Sequence, residues 1–235
     1  VLQIQKISVT GLSAVGEEDV QKEVASALSG SYMAGLISYR FLLAVPAQVI
    51  RDALTRRFPL IAEVTVTKEF PDKLVLAVKE RIMFAILCND APREEALPDE
   101  HRDIQCSYLD TQGIAYDKAP QTQGFLIMKI FTDAYTVAIG DRVIDPLMMR
   151  RITDISSKLP SVIHSPIVGY KLLRNVPREV HAISKSGFSL MINRDDDLDH
   201  VLYVLKTVLE KEIGSRRNNL NYIDLRFGNK VFYKF

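Results

Sequence analysis

Between Ile61 and Arg81 the chain reads IAEVTVTKEFPDKLVLAVKER. Val64 and Val66 alternate with Thr65 and Thr67, and Leu74, Leu76 and Val78 alternate with Val75, Ala77 and Lys79. Alternation with a period of two sends successive side chains to opposite faces, so the two runs predict paired strands. They meet at Phe70-Pro71-Asp72-Lys73, where Pro71 supplies the fixed φ suited to the first central position of a type I turn and Asp72 suits the next. Upstream, Ile4, Ile7 and Val9 lead into Thr10-Gly11-Leu12, a first strand ending at a glycine turn. Glu17, Glu18 and Asp19 then open a helical segment with Val20, Val24, Ala27 and Leu28 on one face, and Gly30 ends it. The acids sit against the positive end of that helix dipole. A second helix is predicted from Pro46, with Val49, Ile50, Ala53 and Leu54 on one face and Phe58-Pro59 as its stop. Residues 1–81 thus run strand, helix, helix, strand, strand.

The pattern changes after Arg81. Runs at Phe84–Cys88, Tyr108–Asp110, Phe125–Phe131, Val168–Leu173, Val180–Ser184, Phe188–Ile192, Leu220–Phe227 and Lys230–Phe235 all predict strands. Two helices interrupt them. One starts at Asp145-Pro146, a cap followed by proline at its preferred position, and carries Met148, Ile152, Ile155 and Leu159. The other follows Asp195-Asp196-Asp197 and carries Leu198, Val201, Leu202, Leu205, Val208, Leu209 and Ile213 before Gly214. Strands outnumber helices and are mostly adjacent, so the fold class is α+β, with a largely antiparallel sheet and helices packed on one face.

The element order of residues 1–81, with Val9-Thr10-Gly11, Phe70-Pro71 and Glu80-Arg81 at their spacing, resembles the POTRA domain of the bacterial cell-division FtsQ/DivIB family. Tyr108-Leu109-Asp110-Thr111-Gln112-Gly113 is similar to that family's strand after the POTRA module. Tyr222-Ile223-Asp224-Leu225-Arg226-Phe227 looks like its terminal strand. The resemblance implies a POTRA domain at residues 1–81 and a C-terminal FtsQ/DivIB β domain at residues 82–235. It also implies a non-enzymatic divisome scaffold, single-pass in the cell membrane, with this region extracytoplasmic at the division septum. Its anchor would be an N-terminal transmembrane helix absent from this chain. The implied partners are an upstream recruiter at the POTRA domain and, at the C-terminal domain, FtsB/DivIC-like and FtsL-like coiled-coil membrane proteins. The alternative is a POTRA-bearing outer-membrane assembly or secretion factor, which calls for tandem POTRA repeats and a following barrel.

Charge and chemistry narrow this little further. With 30 basic and 29 acidic residues and no cationic run, nucleic acid is not an expected partner. The longest apolar run, Phe41–Ile50, is broken by Pro46 and falls short of the roughly 20 residues that span a bilayer. Three consecutive acids could ligate a hard cation, but Asp195-Asp196-Asp197 stands where a helix needs its cap. His101, His164, His181 and His200 have no metal-ligand spacing, and Ser165 and Ser189 lack the setting of a nucleophile elbow. No catalytic, metal or cofactor-binding residue is therefore expected. Glu80-Arg81 is expected as a solvated or hinge-anchoring pair.

Two features bear on sites. Cys88 and Cys106 face each other if their strands pair antiparallel; an oxidising compartment favours a disulfide, and two buried free thiols are the other outcome. The terminal run Lys230–Phe235 is rich in aromatics and has no proline, and a final strand usually lies at a sheet edge with unpaired backbone groups. Asn229, Val231, Phe232 and Tyr233 are thus candidates for partner binding by strand addition. The resemblance adds Arg226 and Phe227, the latter standing where many relatives have Tyr. Gly228-Asn229 is either a two-residue hairpin turn or a bulge in one longer strand.

Overall fold

The structure is a computed structural model that describes residues 3–32, 37–38, 45–89, 104–122, 124, 126–133, 137–228 and 230–235. It divides into two compact units, Val1–Ile82 and Met83–Phe235.

The first unit contains β1 (Lys6–Thr10), α1 (Glu17–Ala27), β2 (Ser31–Tyr32), β3 (Ile37–Ser38), α2 (Ala47–Arg57), β4 (Ile61–Glu69) and β5 (Lys73–Glu80). Its main sheet has the order β1–β5–β4, with β5 antiparallel to β4 and parallel to β1. A parallel neighbour requires a crossover, and the stretch holding both helices supplies it. Val64, Leu74, Leu76 and Val78 point into a core completed by Val20 and Val24 of α1 and Ile50 and Leu54 of α2. Val49 departs from the expected face and is 40% exposed. It lies about 100° around the helix from Ile50, outside the stripe that meets the sheet. The short antiparallel β2–β3 pair was not predicted; two-residue strands leave no period to detect. The hairpin also differs from the type I turn expected. Glu69 pairs with Lys73, so three residues form its loop, with a cis Phe70–Pro71 bond.

The loop after β1 is tied to the end of β5. Gly11 has φ +85°, and a Cβ there would lie 2.0 Å from the Val78 carbonyl oxygen, so only glycine fits. The Glu80 carboxylate then accepts the backbone N–H groups of Ser13 (2.9 Å), Ala14 (3.0 Å) and Val15 (3.0 Å). Burial alone would raise its pKa, yet the three donors hold it below the usual carboxylate range. Arg81 donates from Nε to the Pro59 carbonyl at 2.8 Å. Glu80 and Arg81 thus each hold backbone within this unit.

The second unit contains β6 (Ala85–Cys88), β7 (Cys106–Leu109), β8 (Ala115–Ala119), β9 (Lys129–Thr132), α3 (Pro146–Ile163), β10 (Ile167–Leu172), β11 (Glu179–Ser184), β12 (Ser189–Asn193), α4 (Leu198–Val208), β13 (Tyr222–Phe227) and β14 (Lys230–Lys234). A π turn, Leu209–Ile213, and a 3-10 turn, Gly214–Asn219, extend α4. The nine strands form one sheet in the order β14-β13-β12-β11-β10-β9-β6-β7-β8. Its joins are antiparallel except β13–β12, β10–β9 and β9–β6. Helices α4 and α3 make the crossovers for the first two of these parallel joins. Strand β8 was not predicted, and β9 starts later than expected: Leu126 is fully exposed and Phe125 lies outside the described residues.

Both helices pack on one face of this sheet. Asp145 caps α3 by accepting from the Leu147 and Met148 N–H groups, and Asp197 caps α4 through Asp199 and His200. Ile152, Ile155 and Leu159 of α3 and Val201, Leu202 and Leu205 of α4 bury against Tyr170, Val180, Leu190 and Ile223. Neither α3 nor α4 contributes to the apolar cluster of the opposite face, which gathers Ile86, Cys88 and Cys106. A row of paired residues crosses that face from Cys106 and Cys88 through Phe131, Lys171, His181, Met191 and Asp224 to Phe232.

Candidate partner-binding edge

The β13–β14 pair is an antiparallel hairpin with one irregularity. Asp224 pairs with Phe232 but Phe227 pairs with Lys230, so β13 carries an extra residue and Leu225 and Arg226 together oppose Val231. The local sequence explains the bulge. The Asp224 carboxylate accepts the Arg226 backbone N–H at 3.1 Å and its guanidinium through Nε (2.8 Å) and Nη2 (2.5 Å), which holds the displaced residue on its own strand. Gly228 then turns the chain with φ +64°. Of the two alternatives posed by the sequence for this stretch, β13 and β14 form a hairpin rather than one longer strand, and the bulge lies upstream at Leu225–Arg226.

Among the described residues strand β14 has a neighbour on one side only and forms the sheet's margin. Its side chains alternate. Val231 and Tyr233 point to the helical layer and, with Tyr203 and Val208 of α4 and Glu212 beyond it, line an open groove of about 460 Å3. Phe232 points to the opposite face and is 53% exposed. There it meets Phe227, 55% exposed, edge to face with ring centroids 5.3 Å apart. Arg226 lies over Phe227 at 5.6 Å, and Arg216 over Phe235 at 4.5 Å. Asn229 lies outside the described residues. The remaining five candidates therefore cluster around one strand end, but on two faces: Arg226, Phe227 and Phe232 on one, Val231 and Tyr233 on the other.

Arg226 is more engaged than a contact residue need be. Besides Asp224, its Nη1 reaches Glu179 Oε2 at 2.6 Å from β11, two strands away. Bonds to Asp224 hold its pKa above the ordinary arginine value, with Glu179 adding to the effect. Asp224 is buried, which would raise its pKa, but the Arg226 bonds hold it below the usual range. His181 Nε2 stands 3.4 Å from the same Glu179 oxygen, and burial pushes its pKa down. The sequence carried no signal for Glu179 or His181, whose roles depend on strand order. Tyr203 was detectable as the one aromatic of α4 off its apolar stripe; it is 71% exposed.

Elsewhere the polar candidates serve the fold. Asp195 pairs with Arg194 and Arg178, and among the described residues no group of three or more His, Cys, Asp or Glu is placed to hold a metal ion. His101 lies outside the described residues. Ser165 accepts hydrogen bonds from Ser184 and Ser186 at 2.9 Å each. Cys88 and Cys106 pair across β6 and β7 and are joined by a disulfide.

No helix among the described residues is long and apolar enough to cross a membrane. Comparison with curated proteins finds no match to the chain. Residues 2–81 match the family of POTRA domains, FtsQ-type. The match covers β1 to β5 with both helices and their glycine-turned first loop, and on that evidence the first unit of the chain is a POTRA domain of the FtsQ type.

Proposed function

We propose that the chain is a non-enzymatic scaffold of the divisome that holds other division membrane proteins at the septum by β-strand addition along β14. The observation that carries this reading is the exposed margin of the nine-stranded sheet, a strand without proline whose Phe232 lies open beside Phe227. Edge strands that avoid company are blunted by charge, proline, short length or bulges, and β14 keeps its middle residues, Val231, Phe232 and Tyr233, free of charge and proline. In β14 the only charges are the outward Lys230 and Lys234. A partner strand would gain main-chain hydrogen bonds there. Its alternate side chains would fall on the α4 groove and on the Phe227–Phe232 pair, which gives specificity. The occupants are FtsB/DivIC-like and FtsL-like coiled-coil membrane proteins, and the POTRA domain serves an upstream recruiter. The protein works on the outer side of the cell membrane.

Proline scanning of the edge tests the strand-addition step. Successive N–H groups of a strand alternate between the sheet and the open side. Of Val231→Pro and Phe232→Pro, one therefore removes an outward donor and spares the β13 ladder. The variant that keeps the wild-type melting curve is expected to lose co-purification with the bacterium's own FtsB/DivIC-like and FtsL-like pair. Wild-type capture by both variants, each folded, would refute strand addition.

A further inference from the structure

The geometry points to Glu179 as a positioning residue: through Arg226 it holds the Phe227–Phe232 aromatic pair in place at the docking edge. The inference rests on β14 being that edge. It follows from how the Arg226 fork is divided. Its Nε and Nη2 go to Asp224, two residues back on the same strand, at 2.8 and 2.5 Å. That pairing fixes the guanidinium relative to β13 alone and would travel with the bulge if the strand end moved. Nη1 goes instead to Glu179 Oε2 at 2.6 Å, and Glu179 stands on β11 with β12 between them. Among the described residues only this third contact ties the guanidinium to the body of the sheet.

The consequence passes outward through contacts in series. Arg226 lies over the Phe227 ring at 5.6 Å, and Phe227 meets Phe232 at 5.3 Å and 88°. Both rings are more than half exposed, so little else packs against them. The bulge that carries Arg226 opposes Val231, in the middle of the edge strand. Asn193 of β12 adds a bond from Nδ2 to the Arg226 carbonyl at 3.1 Å and anchors the backbone of the bulge, while Glu179 anchors its side chain. The Arg226 guanidinium, neutralised by two carboxylates, is thus the inner support of the aromatic patch rather than a free cation offered to a partner. A planar fork is suited to this role, because a lysine ammonium could not meet both carboxylates in fixed directions.

The test needs no partner. With para-fluorophenylalanine at position 232 in the full chain, the fluorine resonance reports the ring current of Phe227. In Glu179→Gln, which keeps the side chain's size and removes its charge, the resonance is expected to move toward its position in Phe227→Ala. Arg226→Lys is expected to do the same. The double variant should match either single variant, since both break one connection. Melting curves of the same samples establish that each is folded, and the Lys variant serves if the Gln variant is not. A wild-type resonance in both folded single variants, or additive shifts in the double variant, overturns the inference. Such a result would leave strand addition standing, because that reading is decided by the proline variants.

Discussion

Reduction of the Cys88–Cys106 bond should lower the stability of the second unit by a calculable amount and leave the first unit alone. The cysteines are 18 residues apart in sequence. In the chain-entropy account a loop of that length restricts the unfolded chain by about 11 cal/mol/K, or ~3 kcal/mol at room temperature. For a unit of about 150 residues, each kcal/mol moves the melting midpoint by roughly 2–4 °C, so the expected fall is about 6–12 °C. The strands themselves should survive, since Ile86 and Leu87 of β6 remain buried on their two faces with Leu109 and Ile130 nearby. The assay is thermal unfolding of the whole chain by far-ultraviolet circular dichroism, with and without reductant. Residues 1–82 contain no cysteine, so any transition of the first unit is an internal control. Unchanged midpoints after complete reduction, or two free thiols per chain in the unreduced, denatured protein, would refute the reasoning.

The Glu80 carboxylate gives a pH dependence with a definite sign. Its folded pKa lies below its unfolded value, so its contribution to the first unit is present above the unfolded pKa and is lost as pH falls through the folded one. Melting of wild type and Glu80→Gln should therefore differ by about 1 kcal/mol near neutrality, after allowance for solvent screening, and converge in acid; parallel curves at every pH would contradict this. Gly11→Ala should unfold the first unit or cost it several kcal/mol, because the new Cβ meets the Val78 carbonyl at 2.0 Å in a backbone conformation that alanine resists. A Gly11→Ala chain with wild-type amide-exchange protection in β5 would show that the loop relaxes freely.

Much of the fold was legible because its signals are local. Capping by Asp145 and Asp197 was readable, since a short acid ahead of an apolar helical stripe satisfies N–H groups two and three residues away. Alternation in β4 and β5 named the residues that became the first core, and the order of elements led to the FtsQ-type POTRA domain over residues 2–81. The failures were local as well. Two-residue strands offered no period, β8 mixes Ala115 and Tyr116 with Asp117 and Lys118, and the three-residue loop around Pro71 depended on the β4–β5 register. For the candidate edge, the sequence marked Phe227, Val231, Phe232 and Tyr233 as one stretch rich in aromatics, but the face each takes and the bulge at Leu225–Arg226 were settled only by the pairing of β13 with β14.

Sequence by itself thus determined the four helices, the strands other than β2, β3 and β8, and most of the side chains each buries, because periodicity and caps act over a few residues. Tertiary structure alone decided that β9 lies between β6 and β10, that Cys88 stands opposite Cys106, and that β14 closes the sheet. It alone brought Glu179 to Arg226, 47 positions on in sequence by the difference of their numbers, across an intervening strand. Strand order is set by which crossovers bury the most apolar surface, a property of the assembled sheet that no single strand contains.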